Sequence, residues 1–127
     1  MKAYYFKFIV FVLVLITFSS CEQGYSYNYI LTNNTDTTIT VFIKTFSQDT
    51  TFTFLPRETK NIFSTFHGME GFGGPFESEV KFDLDRIIIK KGKKISLKDY
   101  RKTESWKFIK KDKSIAEYKS IITNSEF

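Results

Sequence analysis

The sequence contains one histidine and one cysteine, and these are the first residues to consider for chemistry. A lone cysteine excludes an internal disulfide and a cysteine-based zinc cluster, and a lone histidine excludes a multi-histidine metal site. His67 and Glu70 would supply two ligands, whereas zinc sites take three or four from the protein. Asp83 and Asp85 would share one face of an extended segment, which we interpret as a solvated strand entry. We therefore expect a protein that is not an enzyme, with no catalytic residues, metal or cofactor.

The single cysteine, Cys21, ends an N-terminal segment with three successive zones. The segment reads MKAYYFKFIVFVLVLITFSSC: Lys2 and Lys7 come first, then eleven residues (8–18) with one polar member, then two serines and the cysteine. An apolar run of this length suits an export signal, whereas a bilayer-spanning helix needs about 20 apolar residues. The pattern predicts that residues 1–20 are a helical signal peptide and that the mature chain leaves the cytosol.

The end of this segment resembles the lipobox of bacterial lipoproteins, in which an apolar residue and two small residues precede a cysteine. Phe18 stands where leucine is usual, as in the looser lipoboxes of Bacteroides-like Gram-negative bacteria. The resemblance implies cleavage between Ser20 and Cys21, acylation of Cys21, and anchoring in the cell envelope. We expect the outer membrane, on either its periplasmic or its surface face. Two or more acyl chains bind a bilayer stably, so residues 21–24 would form a lipidated tether. Three alternatives stay open: ordinary cleavage that leaves a free thiol, an uncleaved signal anchor, and a buried N-terminal core helix with an incidental cysteine.

Residues 67–76 form a glycine-rich segment with four of the six glycines and one of the two prolines. No Lys-Ser/Thr pair follows the glycines, so the segment is not a phosphate-binding loop. We interpret His67 as an incidental loop histidine. The loop has two interpretations: it displays Met69, Phe72 and Phe76 as a candidate binding loop, or the two phenylalanines fold back and plug the core.

Basic residues are concentrated in the C-terminal half of the chain. The net charge is +5, from 19 Lys+Arg and 14 Asp+Glu, and residues 81–127 carry fourteen basic and seven acidic residues. The candidate basic patch comprises four lysines around a predicted hairpin turn: Lys90, Lys91, Lys93 and Lys94. Export argues against a nucleic-acid partner and favours lipid head groups, lipopolysaccharide or acidic glycans. Alternatively, the lysines only keep strand edges solvated and prevent aggregation.

The remaining chain alternates apolar and polar residues with the period of two that is typical of strands. Tyr27, Tyr29 and Leu31, for example, share one face of an extended segment. The predicted strands lie at 26–31, 38–46, 51–55, 60–66, 85–89, 95–97, 106–109 and 115–123. Turns recur roughly every 8–12 residues without a helical crossover, so we expect residues 25–127 to be all-β, a single antiparallel β-sandwich of immunoglobulin-like type. A small closed β-barrel is the alternative.

These expectations combine into one functional hypothesis. The protein would be a small lipid-anchored lipoprotein of the cell envelope that acts as a non-catalytic binding or assembly module. Its partners would be the membrane, through acyl chains on Cys21, and an envelope protein or glycan. The alternative is a structural or surface protein whose basic C-terminal half contacts anionic envelope polymers.

Overall fold

The computed structural model describes residues 24–68 and 73–127, and these residues form eight strands and three short 3-10 helices. The strands are β1 Gly24–Asn33, β2 Ile39–Lys44, β3 Asp49–Phe54, β4 Thr59–Gly68, β5 Arg86–Lys91, β6 Lys94–Ile95, β7 Lys107–Lys110 and β8 Ile115–Ile122. The 3-10 helices are Val80–Phe82, Thr103–Ser105 and Asn124–Glu126. The predicted all-β class is confirmed. No helix within the described ranges is long and apolar enough to cross a membrane.

The strands form two four-stranded sheets. One has the order β4-β1-β8-β7 and is called the β1 sheet; the other has the order β3-β2-β5-β6 and is called the β2 sheet. Because the two sheets do not join into one closed sheet, the closed-barrel alternative is wrong. The expectation of a purely antiparallel arrangement is also wrong, since β1 and β8 pair in parallel. The chain crosses to the β2 sheet as β2 and β3, returns as β4, crosses again as β5 and β6, and returns as the β7–β8 hairpin, in which β8 lies beside β1 and runs in the same direction.

The apolar faces of both sheets share one hydrophobic core. In β1 the buried residues alternate strictly from Tyr25 to Asn33, and in β2 the residues Ile39, Val41 and Ile43 are buried. This confirms the period-two pattern read from the sequence. Burying one large apolar side chain contributes roughly 1.5–3 kcal/mol, so the shared core is the main source of stability.

The ends of the strands define two ends of the molecule. At the Gly24 end, where β1 begins, Gly24 pairs with Gly68 at the end of β4. At the opposite Asn33 end, where β1 finishes, the Asn33 side chain donates hydrogen bonds to the carbonyls of Phe54, the last residue of β3, and Leu55, the residue after it. Since β3 runs toward the Asn33 end, the turn that joins β2 to β3 lies at the Gly24 end.

The 3-10 helix Val80–Phe82 also lies at the Gly24 end. It comes just before β5, whose first residue Arg86 pairs with Lys44 at the end of β2. Asp83 follows the helix and contacts His67 in β4, which ties the segment before β5 to the β1 sheet at this end. Two turns of the β2 sheet therefore share the Gly24 end with the beginning of β1.

Candidate functional site

An open cleft of about 560 Å³ lies at the Gly24 end. Its walls include Tyr25 and Tyr27 from β1, His67 from β4, and Phe76 and Asp83 from the connection between β4 and β5. Aromatic rings and hydroxyl groups thus meet at the same place. Such a mixture suits a ligand or surface that needs both apolar contact and hydrogen bonds.

One wall of the cleft is an extended segment, residues 74–78, which we call the strap. The hydroxyl of Tyr27 accepts the N–H of Phe76 at 3.2 Å and donates to its carbonyl at 3.0 Å. The hydroxyl of Tyr118 accepts the N–H of Ser78 at 2.7 Å and donates to its carbonyl at 2.9 Å. Tyrosine hydroxyls therefore make the hydrogen bonds to the backbone N–H and carbonyl groups of alternate strap residues. In a sheet, a neighbouring strand would make these bonds.

The beginning of the strap is held in the same way. Tyr25 accepts the N–H of Gly74 at 3.1 Å, and the Gly74–Pro75 peptide bond is cis. A Cβ atom at position 74 would lie 2.4 Å from the Tyr25 ring, so the close approach requires glycine. The segment predicted as a glycine-rich loop is, from residue 74 onward, fixed against the β1 sheet.

The parallel pairing of β1 with β8 creates this row of hydroxyls. It aligns Tyr29 with Tyr118, and their rings stack 5.0 Å apart at 10°. Tyr27 stacks on the other side of Tyr118 at 6.1 Å. The alternation in β1 indicated that its tyrosines face inward, but nothing in the local sequence placed Tyr118 among them.

Asp83 links three elements at the base of the cleft. One oxygen of its carboxylate contacts Nε2 of His67 at 2.9 Å, and the other accepts the hydroxyl of Tyr29 at 2.5 Å. The His67 ring also packs against Tyr27 at 4.8 Å. Both carboxylate oxygens are engaged, and the side chain of Asp83 is buried. The trio therefore joins β1 and β4 to the connection that leads into β5.

Two interpretations from the sequence are wrong at this position. His67 is not a loop histidine, because β4 continues to Gly68 and Asp83 holds the ring. Asp83 and Asp85 do not share a face, because the chain is in a turn rather than extended, and Asp85 is exposed. Residues 24–68 and 73–127 contain no group of three or more metal-ligating side chains.

The tyrosine row makes the fold sensitive to high pH. Burial raises the pKa of Tyr27 and Tyr118 above the ordinary value of about 10, and burial with the hydrogen bond to Asp83 raises the pKa of Tyr29. A raised pKa in the folded state means that the stabilisation is complete below about pH 10 and is lost as the pH rises above it. We expect the free energy of unfolding, measured by urea titration, to fall from pH 9 to pH 11. Absorbance at 295 nm that shows these tyrosines ionising near pH 10 in the folded protein would contradict this.

The candidate binding loop is described only in part. Met69 and Phe72 lie outside the described residues. Phe76 lies on the rim of the cleft, where its ring packs edge-on against Tyr25 at 6.4 Å and half of its surface stays exposed. The residue combines features of both interpretations, since its backbone is fixed while much of its ring faces solvent.

Three further phenylalanines at the Gly24 end are exposed. Phe46 in the β2–β3 turn is fully exposed, and Phe66 and Phe82 are exposed by 60% and 74%. Phe46, Phe82 and Asp83 line a second, shallow cleft. Asp83 also lines the cleft described above, together with Phe66. We call Phe46, Phe66, Phe76 and Phe82 the aromatic end. Among the described residues, every phenylalanine that is more than half exposed belongs to it.

Three of these four residues, Phe46, Phe66 and Phe82, were not predicted as candidate site residues. Phe46 was included in a strand predicted at 38–46, but β2 ends at Lys44 and leaves Phe46 in the turn. The available signal was an aromatic residue at the edge of a predicted strand for Phe46, and one in a connection between predicted strands for Phe82. Their proximity to Phe66 depends on how the sheets pack.

The candidate basic patch lies at the Asn33 end. Its predicted hairpin turn is confirmed but is shorter than expected: Lys90 and Lys91 belong to β5, and Lys94 begins β6. Only residues 92–93 form the turn, with Gly92 at a φ of 60°. Lys90, Lys93 and Lys94 are exposed.

Lys91 differs from the other three lysines of the patch. Its ammonium group binds Asp36 at 3.2 Å and Asn124 at 2.5 Å and lies 5.9 Å from the centre of the Phe127 ring. The charge of Lys91 is therefore used within the fold, which leaves three lysines at the surface of the hairpin.

The predicted lipidation and cleavage sites, Cys21 and Ser20, lie outside the described residues, which begin with the first residue of β1.

A comparison with protein-family models finds no match, and neither the curated proteins nor the solved structures contain a match to this chain.

Proposed function

We propose that this protein is a small lipoprotein of a bacterial cell envelope, anchored to the outer membrane through acyl chains on Cys21. Its sandwich, of the immunoglobulin-like type, would act as a non-catalytic binding or assembly module. The anchor rests on the basic, apolar and small-residue zones that lead to Cys21. The sandwich type rests on two four-stranded sheets that share a core.

The aromatic end is the observation that carries the binding role. Covering apolar surface contributes about 25 cal/mol per Å², and clustered exposed aromatic residues commonly mark interaction sites. The strap fixes the backbone of Phe76, so little conformational entropy is lost when a partner covers this wall of the cleft. The tyrosine hydroxyls make hydrogen bonds within the fold, so the contact we propose is mainly apolar.

A second candidate function is contact with anionic envelope polymers through the β5–β6 hairpin. The observation that favours it is the exposure of Lys90, Lys93 and Lys94 at one tip. Contacts between exposed charges weaken strongly with ionic strength, whereas apolar contacts do not. Salt dependence therefore separates the two candidates.

The anchor is tested with the full chain expressed in a Gram-negative bacterium. We expect the protein in the membrane fraction, with a mass of the N-terminal peptide that shows Cys21 acylated. Cys21→Ala should accumulate as an unprocessed precursor. Ser20→Ala is the matched control, because it keeps a small residue before the cysteine and should be acylated normally. Wild-type protein whose first mature residue carries no acyl group would refute the anchor.

The binding role is tested with Cys21→Ala protein exported by a non-lipoprotein leader and mixed with isolated envelope membranes. If the aromatic end makes the contact, the unacylated protein should sediment with the membranes at both low and high salt. Sedimentation only at low salt would favour the hairpin lysines. If the protein sediments with the membranes neither at low salt nor at high salt, a binding role toward the envelope is refuted.

A further inference from the structure

The proposed attachment point, Cys21, comes shortly before the strand whose first residue defines the aromatic end. Cys21 is three residues before Gly24, and three residues span at most about 10 Å. Gly24 is the first residue of β1 and defines the end at which the four phenylalanines lie. A domain held by Cys21 therefore has this end within reach of the membrane surface.

Exposed apolar side chains lie next to Gly24, the first residue of β1. Phe66 lies against Gly24 so closely that a Cβ atom at position 24 would overlap its ring. Ser26 pairs with both Phe66 and Ile115, so these two side chains share the outer face of the β1 sheet. The side chains of Phe66 and Ile115 are exposed, whereas nearby residues of β1 on the opposite face of the sheet are buried.

The charges around the aromatic end are mixed. Lys81 lies over the ring of Phe82, with Nζ 5.4 Å from its centre, and is paired with Glu79. In the turns and strand ends of this region, acidic and basic residues occur in nearly equal numbers. The acidic residues are Asp49, Glu77, Glu79, Asp85 and Asp112. The basic residues are Lys44, Lys81, Arg86, Lys110, Lys111 and Lys113. Attraction to anionic lipids is therefore a small part of any contact made here. Insertion of rings is the contact that this surface favours.

We propose that the aromatic end is a membrane-contact surface that inserts Phe46, Phe66 and Phe82 into the head-group region of a glycerophospholipid bilayer. The inference rests on the proposed anchor at Cys21 and names the partner of the aromatic end. Phenylalanine is one of the residues with which interfacial segments form an apolar face, and this face lies about 5–10 Å deep in the boundary between head groups and acyl chains. The acyl chains supply attachment, and the rings supply orientation.

This orientation has a consequence for the rest of the surface. The cleft and the strap face the bilayer, whereas the Asn33 end and the lysine hairpin point away from it. Lys90, Lys93 and Lys94 are then too far from the anchoring membrane to bind its head groups.

The test uses the full acylated chain, because acylation consumes the thiol of Cys21 and leaves an added cysteine as the only thiol to label. Phe46→Cys and Phe82→Cys place a bimane label at the aromatic end. Leu97→Cys and Leu55→Cys are matched controls, since both residues are exposed and lie in the connections away from the Gly24 end. Each protein is reconstituted into phosphatidylethanolamine–phosphatidylglycerol vesicles with and without lipids that carry a doxyl quencher near the head group.

We expect several-fold stronger quenching of the label at positions 46 and 82 than at positions 97 and 55. Equal quenching at both ends, or stronger quenching at the controls, would overturn the inference. The mass of the N-terminal peptide is measured on the same samples. An acylated protein without quenching at the aromatic end refutes the membrane-contact surface alone, whereas an unacylated protein refutes the proposed anchor and this inference together.

Discussion

Asn33→Ala is expected to lower the free energy of unfolding by about 4 kcal/mol, because the polar groups around this buried side chain would each lose one hydrogen bond at once. The amide nitrogen of Asn33 donates to the carbonyls of Thr37, Phe54 and Leu55 at 2.9, 3.3 and 3.0 Å. Its amide oxygen accepts the N–H and the hydroxyl of Thr35 at 3.0 and 2.8 Å. Each buried group left without a partner costs about 1–3 kcal/mol. Urea unfolding followed by circular dichroism measures the loss.

The neighbouring residue provides the control. Asn34 is exposed, and its amide oxygen accepts a hydrogen bond from the side chain of Arg57, which is also exposed. Asn34→Ala should change the free energy of unfolding by less than about 1 kcal/mol. If both alanine variants are equally stable, Asn33 does not organise the Asn33 end as described.

Tyr27→Phe combined with Tyr118→Phe is expected to release the strap and to lower the free energy of unfolding by about 3 kcal/mol. The variant keeps both rings, and therefore the stacking, but leaves the N–H and carbonyl of Phe76 and Ser78 without their hydroxyl partners. Hydrogen exchange should show a large increase in the exchange rates of these two amides. Amides in the centre of β2 should change only as far as global stability changes.

Phe76→Ala serves as the matched control for this experiment. It removes a half-exposed ring but no backbone hydrogen bond of the strap, so slow exchange at Ser78 should persist. Unchanged exchange in the double tyrosine variant would show that packing, rather than the hydroxyls, holds the strap.

The strap matters for the proposed function because it determines how rigid the aromatic end is. A ring on a fixed backbone loses little freedom when it enters a partner surface, whereas a ring on a mobile loop must first be ordered. If the strap is released, the contact that Phe76 makes with a partner should weaken even though its ring is retained. Sedimentation of the double tyrosine variant with envelope membranes would measure this loss.

The strand faces could be predicted from the sequence because a local rule determines them. Side chains alternate across a strand, so a run such as Ile39, Val41 and Ile43 must share a face, and a shared apolar face must be buried. The hairpin at Gly92 is local for the same reason, since two strands next to each other in the chain need only a suitable turn residue between them. These predictions are confirmed in β1, β2 and β8.

The contacts that build the candidate site join residues far apart in the chain, and no local pattern specifies them. Tyr29 and Asp83 are 54 positions apart, and Tyr118 and Ser78 are 40 positions apart. The interpretation of His67 as a loop residue failed because the glycines that follow it suggested a loop that begins too early. Whether a strand continues to its last residue depends on a pairing partner, which for His67 is Tyr25 in β1.

By itself, the sequence determined the all-β class, the inward-facing residues of the main strands and the expectation of an anchor at Cys21, because each depends on neighbours along the chain. Only the tertiary structure decided that β8 lies parallel to β1, that tyrosine hydroxyls hold the strap, and that Phe46, Phe66, Phe76 and Phe82 gather at the Gly24 end. The physical reason is that these features arise from the pairing of distant strands and the packing of two sheets. Burial of the common core drives that packing, and residues near one another in sequence do not encode which distant segments it will bring together.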